Sequence, residues 1–379
     1  KAIKETKRRE VRGLAHNTFI YKSPARYAIL IGFAHLGIDR AAQEYPPRNH
    51  WVASTHELFL VWESYLKNYD QPDSRLARHP LMELEPSRLQ MSIPEELSCC
   101  LYDKKTNKLV FVVIRKFANH RSILDWAKRI VHRAVTTCKS IRLEDPGSLI
   151  QAMYSAGSRS APSFGMVRNI TAPLTQEEKD DANRNIASLF SYVWLRAKGL
   201  FPREIIADFV KFYDRYNIPR FDPEWPDSRT ATGSIELPCD LGSVTFADVE
   251  RSPGLGVLHD RYARAVHHER QGHKWALSWM SNRWGSRPDG GHFYLCTYAL
   301  ESRACEDSAW AWCPCEWHAT GVSNFEPTFD IPEIFDEVHN QCGVAFVSSS
   351  RIGTVYKKWA KRHGLSGKEK VKRALAELD

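Results

Sequence analysis

Three side chains in this sequence have the types and spacing to do metal chemistry. His267 and Glu269 stand two residues apart, in Val266-His267-His268-Glu269, and His318 lies much further on, in Trp317-His318-Ala319-Thr320. On a β-strand, residues i and i+2 point to the same face. His267 and Glu269 are therefore expected to project together, with His318 arriving from a neighbouring strand. Two imidazoles and one carboxylate on one side of an ion hold ferrous iron and leave the opposite side open for other ligands.

Other residues compete for these roles. His268 is a rival for the first position, although its side chain should face away from Glu269; His273 and His292 are further rivals. Cys313 and Cys315 form a Cys-x-Cys pair close to His318, with Cys296 and Cys305 upstream. Structural zinc usually wants Cys-x-x-Cys knuckles, so zinc ranks below iron. Cys-x-Cys on a strand more simply places two small residues on one face. No cysteine is marked by its surroundings as an activated nucleophile.

The elements that must position these groups lie in the C-terminal part. After Gly242 short apolar runs replace helical periods: Val244-Thr245-Phe246, Tyr262 to His267, Lys274 to Met280, His292 to Leu295, Ser308 to Trp312, Trp317 to Thr320 and Gly343 to Val347. Their length and spacing suit a barrel-like double sheet, of which the jelly roll is one form. Before that point the sequence is mixed. Residues 24–70 read mostly as helix, with Tyr27 to Leu36 as a buried helix, and the Pro-rich stretch from Gln71 to Pro94 as an exposed connector. A hairpin is expected from Leu97 to Ile114, and helices over Ser122 to Cys138 with Ser122 as cap, Thr175 to Lys198, and Pro202 to Tyr216. Ser155 to Phe164 reads as a surface loop or, with Arg159, an anion-binding one. Ile218 to Pro238 reads as an irregular link. The expected class is α+β: a double-stranded β-helix (jelly-roll) core over residues 152–351, an N-terminal mixed region over 1–151, and a basic helical tail over 352–379.

Composition sets outer limits. At 379 residues the chain can bury a large core, and no apolar run reaches membrane length. The start is basic with no apolar stretch behind it, so no secretory signal is expected. Nine scattered cysteines favour reduced thiols, hence a nuclear or cytoplasmic location. A net charge of +8 permits a polyanionic partner. The tail carries Lys357, Lys358, Lys361 and Arg362, then Lys368, Lys370, Lys372 and Arg373; such a run is a solvated helix face or a nucleic-acid contact.

Taken together, His267-His268-Glu269, Gly290-Gly291-His292-Phe293-Tyr294-Leu295 and Trp317-His318-Ala319-Thr320 resemble the 2-oxoglutarate and iron(II)-dependent dioxygenases. More narrowly they resemble the Tet/JBP-like branch found in fungi, which oxidises modified bases in DNA. The resemblance covers roughly Tyr262 to Arg351. Glu269 stands where that family usually has Asp, and Ala319 where it has Gly. The family's cosubstrate-anchoring Arg follows the distal His by about ten residues, and none stands there in this chain. The resemblance nominates Arg351 for that anchor, with Arg264 as the fallback, because a guanidinium grips a carboxylate through two parallel hydrogen bonds.

The same resemblance implies Fe(II) and 2-oxoglutarate as cofactors and a methylated base in duplex DNA as substrate, extruded from the stack into the pocket. Trp279, Tyr294, Trp310 and Trp312 are candidates to stack on it. Asn282, Arg283, Arg287 and Asp289, expected on a loop from Ser281 to Gly291, are candidates to reach base edges or phosphates. The alternatives are a hydroxylase of a small molecule or protein side chain with the same triad, and a catalytically silent nucleic-acid-binding or transposon-associated protein.

Overall fold

A computed structural model describes residues 33–68, 79–225, 230–240, 242–284, 290–324 and 340–363. Arg287, Asp289 and the basic positions from Lys368 onward lie outside these. In chain order the first elements are β1 (Ala34–Ile38), β2 (Trp51–Ala53), α1 (His56–Asn68), β3 (Leu81–Glu83), β4 (Met91–Ile93), β5 (Cys99–Asp103) and β6 (Leu109–Arg115). Next come α2 (Arg121–Thr137), β7 (Ser148–Gly157), β8 (Pro162–Met166), α3 (Gln176–Leu200), α4 (Arg203–Tyr216), β9 (Thr232–Cys239) and β10 (Gly242–Glu250). The C-terminal part contributes β11 (Leu255–Asp260), β12 (Arg264–His267), β13 (Ala276–Trp284), β14 (Phe293–Leu295), β15 (Leu300–Ser302), β16 (Ser308–Trp312), β17 (His318–Thr320), β18 (Asn340–Phe346) and α5 (Ile352–Arg362). The class is mixed α+β, mostly sheet.

Two sheets dominate. The larger runs β1-β5-β6-β16-β13-β18-β11-β7-β8 and the smaller β12-β17-β14-β15-β4. The last eight strands are dealt between them: β11, β13, β16 and β18 to the larger, β12, β14, β15 and β17 to the smaller. Period-2 alternation then sorts each strand's side chains into separate cores. In β6, Val112 and Ile114 face one core while Phe111 and Val113 face another; in β16, Ala309 and Ala311 oppose Trp310 and Trp312. The first core lies under α2, α3 and α4, and the second between the two sheets. A strand covered on both faces needs apolar residues throughout, which is why Leu109–Arg115 reads as a continuous apolar run up to its terminal Arg.

Helix signals hold where capping chemistry is local. Thr175 and Glu178 form a reciprocal capping box at the start of α3. α2 buries Ile123, Trp126, Ala127, Ile130 and Val131 at helical spacing, but its N-cap is His120; the Ser122 hydroxyl instead donates to Asp240. Pairing overrides several other expectations. Ala34–Ile38 is a strand, parallel to β5, where a buried helix is expected. The Pro-rich connector supplies β3 and β4, and the irregular link ends in β9, which pairs with β10. Ser155 to Phe164 is the β7–β8 hairpin. β7 also runs across residue 151, the expected domain boundary, and strands from both sides of it share one sheet. No helix among the described residues is long and apolar enough to cross a membrane.

Candidate metal centre

His267 ends β12 and His318 begins β17, and the two are cross-strand partners with ring centroids 4.2 Å apart. Glu269 lies just past the strand end, where its backbone N–H donates to the Pro314 carbonyl at 2.8 Å. One ligand atom from each of His267, Glu269 and His318 lies within 4.8 Å of the others. Among the described residues this is the one cluster of three or more His, Cys, Asp or Glu side chains able to hold an ion.

The tautomers are set by what the rings touch. His267 Nδ1 lies 2.9 Å from the Ala265 carbonyl oxygen, and His318 Nδ1 lies 2.8 Å from that of Glu316. A carbonyl only accepts, so each Nδ1 carries the proton and each Nε2 offers a lone pair. Burial holds the His318 imidazolium pKa down to about 4. Burial first, then the charges of His318 and Arg264, holds His267 well below the ordinary histidine range. Both rings are thus neutral near pH 7, the form that ligates a metal. Gln271 fixes the carboxylate: its amide donates to Glu269 Oε1 at 3.1 Å, while its own carbonyl accepts from the Ser348 N–H at 3.2 Å. The second carboxylate oxygen is left for an ion.

The cluster opens on a cavity of about 180 Å³ between the two sheets. The larger sheet contributes Val257, His259, Met280, Trp310 and Trp312, and the smaller Arg264, Phe293 and Thr320. Arg264 reaches it through an irregularity. Strict alternation puts residues 264 and 267 on opposite faces, but the β12–β17 register shifts between them, and both line the cavity. An extra residue of this kind re-aims a side chain. The Arg264 guanidinium lies 3.3 Å from the Tyr262 hydroxyl and 3.6 Å from Asp145, and Tyr262 donates to Asp145 at 2.6 Å. Burial opposes the Arg264 charge, but Tyr262 and Asp145 outweigh it, and the pKa is raised.

The other expected site residues fall elsewhere. Arg351 does not line the cavity; its guanidinium donates to the Gly157 and Ser158 carbonyls at 2.9 and 3.1 Å, fastening the β7–β8 turn. Trp279 is buried on the helix side of the larger sheet, with its indole N–H donating to Asp307. Tyr294 is buried on the outer face of the smaller sheet and donates to Glu301. Neither can stack on a ligand in the cavity, whereas Trp310 and Trp312 line it. Asn282 and Arg283 belong to β13 rather than a loop; Asn282 is buried, and Arg283 donates to the Gln341 carboxamide, which does line the cavity.

The rival ligands are also committed. His268 packs edge-on against Trp317 at 4.5 Å, His273 lies among Phe209 and Phe212, and His292 accepts from the Ala304 N–H. No third ligand joins Cys313 and Cys315 among the described residues, and they sit on a turn rather than a strand. Sequence inspection misses Gln271, Tyr262, Asp145 and His259. His259 alone carries a readable signal, a lone polar residue on the cavity face of the strand Leu255–Asp260.

No protein-family model and no curated protein matches the chain. A solved structure described as NgTET1 in complex with 5mC DNA aligns with a TM-score of 0.39 at 8% identity, over 77% of this chain and 88% of that one.

Proposed function

We propose that this chain is an Fe(II)- and 2-oxoglutarate-dependent dioxygenase that oxidises a methylated base in DNA. The observation that carries the proposal is the meeting of His267, Glu269 and His318, with both imidazoles presenting Nε2 and the carboxylate steadied by Gln271. Two neutral nitrogens and one carboxylate suit ferrous iron, and the donor set leaves room for further ligands. The alternation of β11 to β18 between two sheets is what a jelly roll requires, and it supports that reading of the core.

In this assignment His267, Glu269 and His318 hold the metal. Arg264, steadied by Asp145, takes the role nominated for Arg351 and receives the far carboxylate of 2-oxoglutarate. When bound, iron and 2-oxoglutarate supply oxidative decarboxylation coupled to oxidation of an unreactive C–H bond. The chain's own work is positional. Phe293, Trp310 and Trp312 form an aromatic wall near His318 that excludes water and gives a planar ring a surface to lie against. The net charge of +8 favours a polyanionic substrate, and a DNA substrate would call for a nuclear location.

The test is anaerobic titration of the full chain with Fe(II) and 2-oxoglutarate, followed by succinate assays on methylated and unmethylated duplex oligonucleotides. Stoichiometric binding and succinate formation that rises with the methylated duplex are expected. His318→Ala is expected to abolish 2-oxoglutarate turnover while leaving the thermal midpoint of the metal-free protein within a few degrees. Turnover retained in that variant would remove His318 from the ligand set.

A further inference from the structure

We propose that Cys313 and Cys315 form an oxidation site that closes to a disulfide under peroxide and thereby weakens metal binding at the neighbouring triad. The coupling half of this inference rests on the iron site proposed above; the thiol half does not.

All nine cysteines are free, and these two have their sulfurs 2.7 Å apart. They occupy the first and third positions of a β-turn, closed by a hydrogen bond from the Glu316 N–H to the Cys313 carbonyl at 3.0 Å, with Pro314 at the second position that proline favours. Cys315 is exposed and Cys313 is buried, so an oxidant from solvent meets Cys315 first. Burial pushes the Cys313 thiol up to about 12, so it is protonated near pH 7.

The chemistry balances with hydrogen peroxide. The Cys315 thiolate attacks the O–O bond, forming an S–O bond and releasing water after protonation. Cys313 then attacks that sulfur; the S–S bond forms, the S–O bond breaks, and the leaving hydroxide takes the Cys313 proton. Two thiols and one peroxide become one disulfide and two waters.

The consequence for the metal follows from what the turn holds. Its Pro314 carbonyl accepts the Glu269 N–H, and its Glu316 carbonyl accepts the His318 Nδ1–H, each at 2.8 Å. The turn therefore orients the His318 ring directly and anchors the backbone that carries Glu269. Drawing the sulfurs to about 2.05 Å and fixing the torsion about the new bond reshapes the turn. Loss of such outer contacts typically costs about 10–100-fold in metal affinity.

The experiment treats the reduced full chain with hydrogen peroxide, removes the oxidant, maps thiols by alkylation and peptide mass, and titrates Co(II) by absorbance as an oxygen-stable probe. A Cys313–Cys315 disulfide is expected, with Co(II) affinity lowered about tenfold or more and restored by dithiothreitol. Cys315→Ser should bind Co(II) normally and lose the response. Over-oxidation of Cys315 without a disulfide, or pairing with another cysteine, overturns the site. A disulfide with unchanged Co(II) affinity overturns the coupling. Failure of the reduced protein to bind Co(II) overturns the iron centre and the coupling with it, while the peptide map still decides the thiol pair.

Discussion

A histidine is prepared to ligate a metal when a hydrogen bond from one ring nitrogen fixes the tautomer and leaves the other its lone pair. His267 and His318 meet that condition through backbone carbonyls two residues upstream in each case, so their tautomers depend on local chain geometry and not on another side chain. Glu269 is different, because its oxygen depends on Gln271. Replacing Gln271 with Ala is expected to weaken Fe(II) or Co(II) binding about 10–100-fold with the fold intact; calorimetric titration showing wild-type affinity would remove Gln271 from a positioning role. His259 faces the same cavity, makes no hydrogen bond among the described residues, and is held by burial at a pKa of about 4, hence neutral. A neutral imidazole facing the cavity can donate to or accept from a bound ring. His259→Phe is expected to raise KM for a methylated duplex roughly tenfold, the worth of one buried hydrogen bond, with metal affinity unchanged. A change confined to kcat would contradict this role.

At the scale of elements, the triad was legible because its signal is local: a two-residue spacing plus one distant histidine framed by strand-like runs. What escaped inspection depends on which face of a sheet meets which layer. Trp279, Trp310 and Trp312 sit in similar alternating runs, yet Trp279 faces the helices while the other two face the cavity. Nothing in the runs themselves marks that difference. The register shift that turns Arg264 inward is equally silent in sequence, since an extra strand residue looks like any other. Arg351 is nominated because a basic residue after the last strand matches the family's anchor, and its partners in the structure are carbonyls of a distant hairpin. Gly343 shows how closely the strands of the larger sheet are fitted around the cavity. A Cβ there would meet the Trp279 carbonyl oxygen at 2.1 Å and His259 Nε2 at 2.9 Å. Gly343→Ala is therefore expected to destabilise the protein by about 1–3 kcal/mol, as overpacking does, read as a lower urea midpoint at constant slope. An unchanged midpoint would mean that β18 can shift outward at no cost.

For the molecule as a whole, buried neutral histidines make stability depend on pH. His273 shows this away from the metal site. Its Nδ1 donates to the Trp275 carbonyl, its ring lies 4.1 Å from Phe209, and burial lowers its pKa from 6.5 to about 4. A base whose folded pKa is depressed binds fewer protons folded than unfolded. Its contribution is therefore complete above the unfolded value of 6.5 and is lost as pH falls towards 4. A shift of this size corresponds to on the order of 3 kcal/mol at full loss. Urea unfolding of the metal-free protein should accordingly show stability falling between pH 6.5 and 4. His259, lowered to about 4 by the same cause, adds to the fall and keeps part of it in any variant of His273. His273→Gln, whatever its offset in absolute stability, should show a shallower slope across that window. Parallel curves for variant and wild type would mean that His273 titrates normally in the folded protein, and hence that the aromatic packing around it admits water.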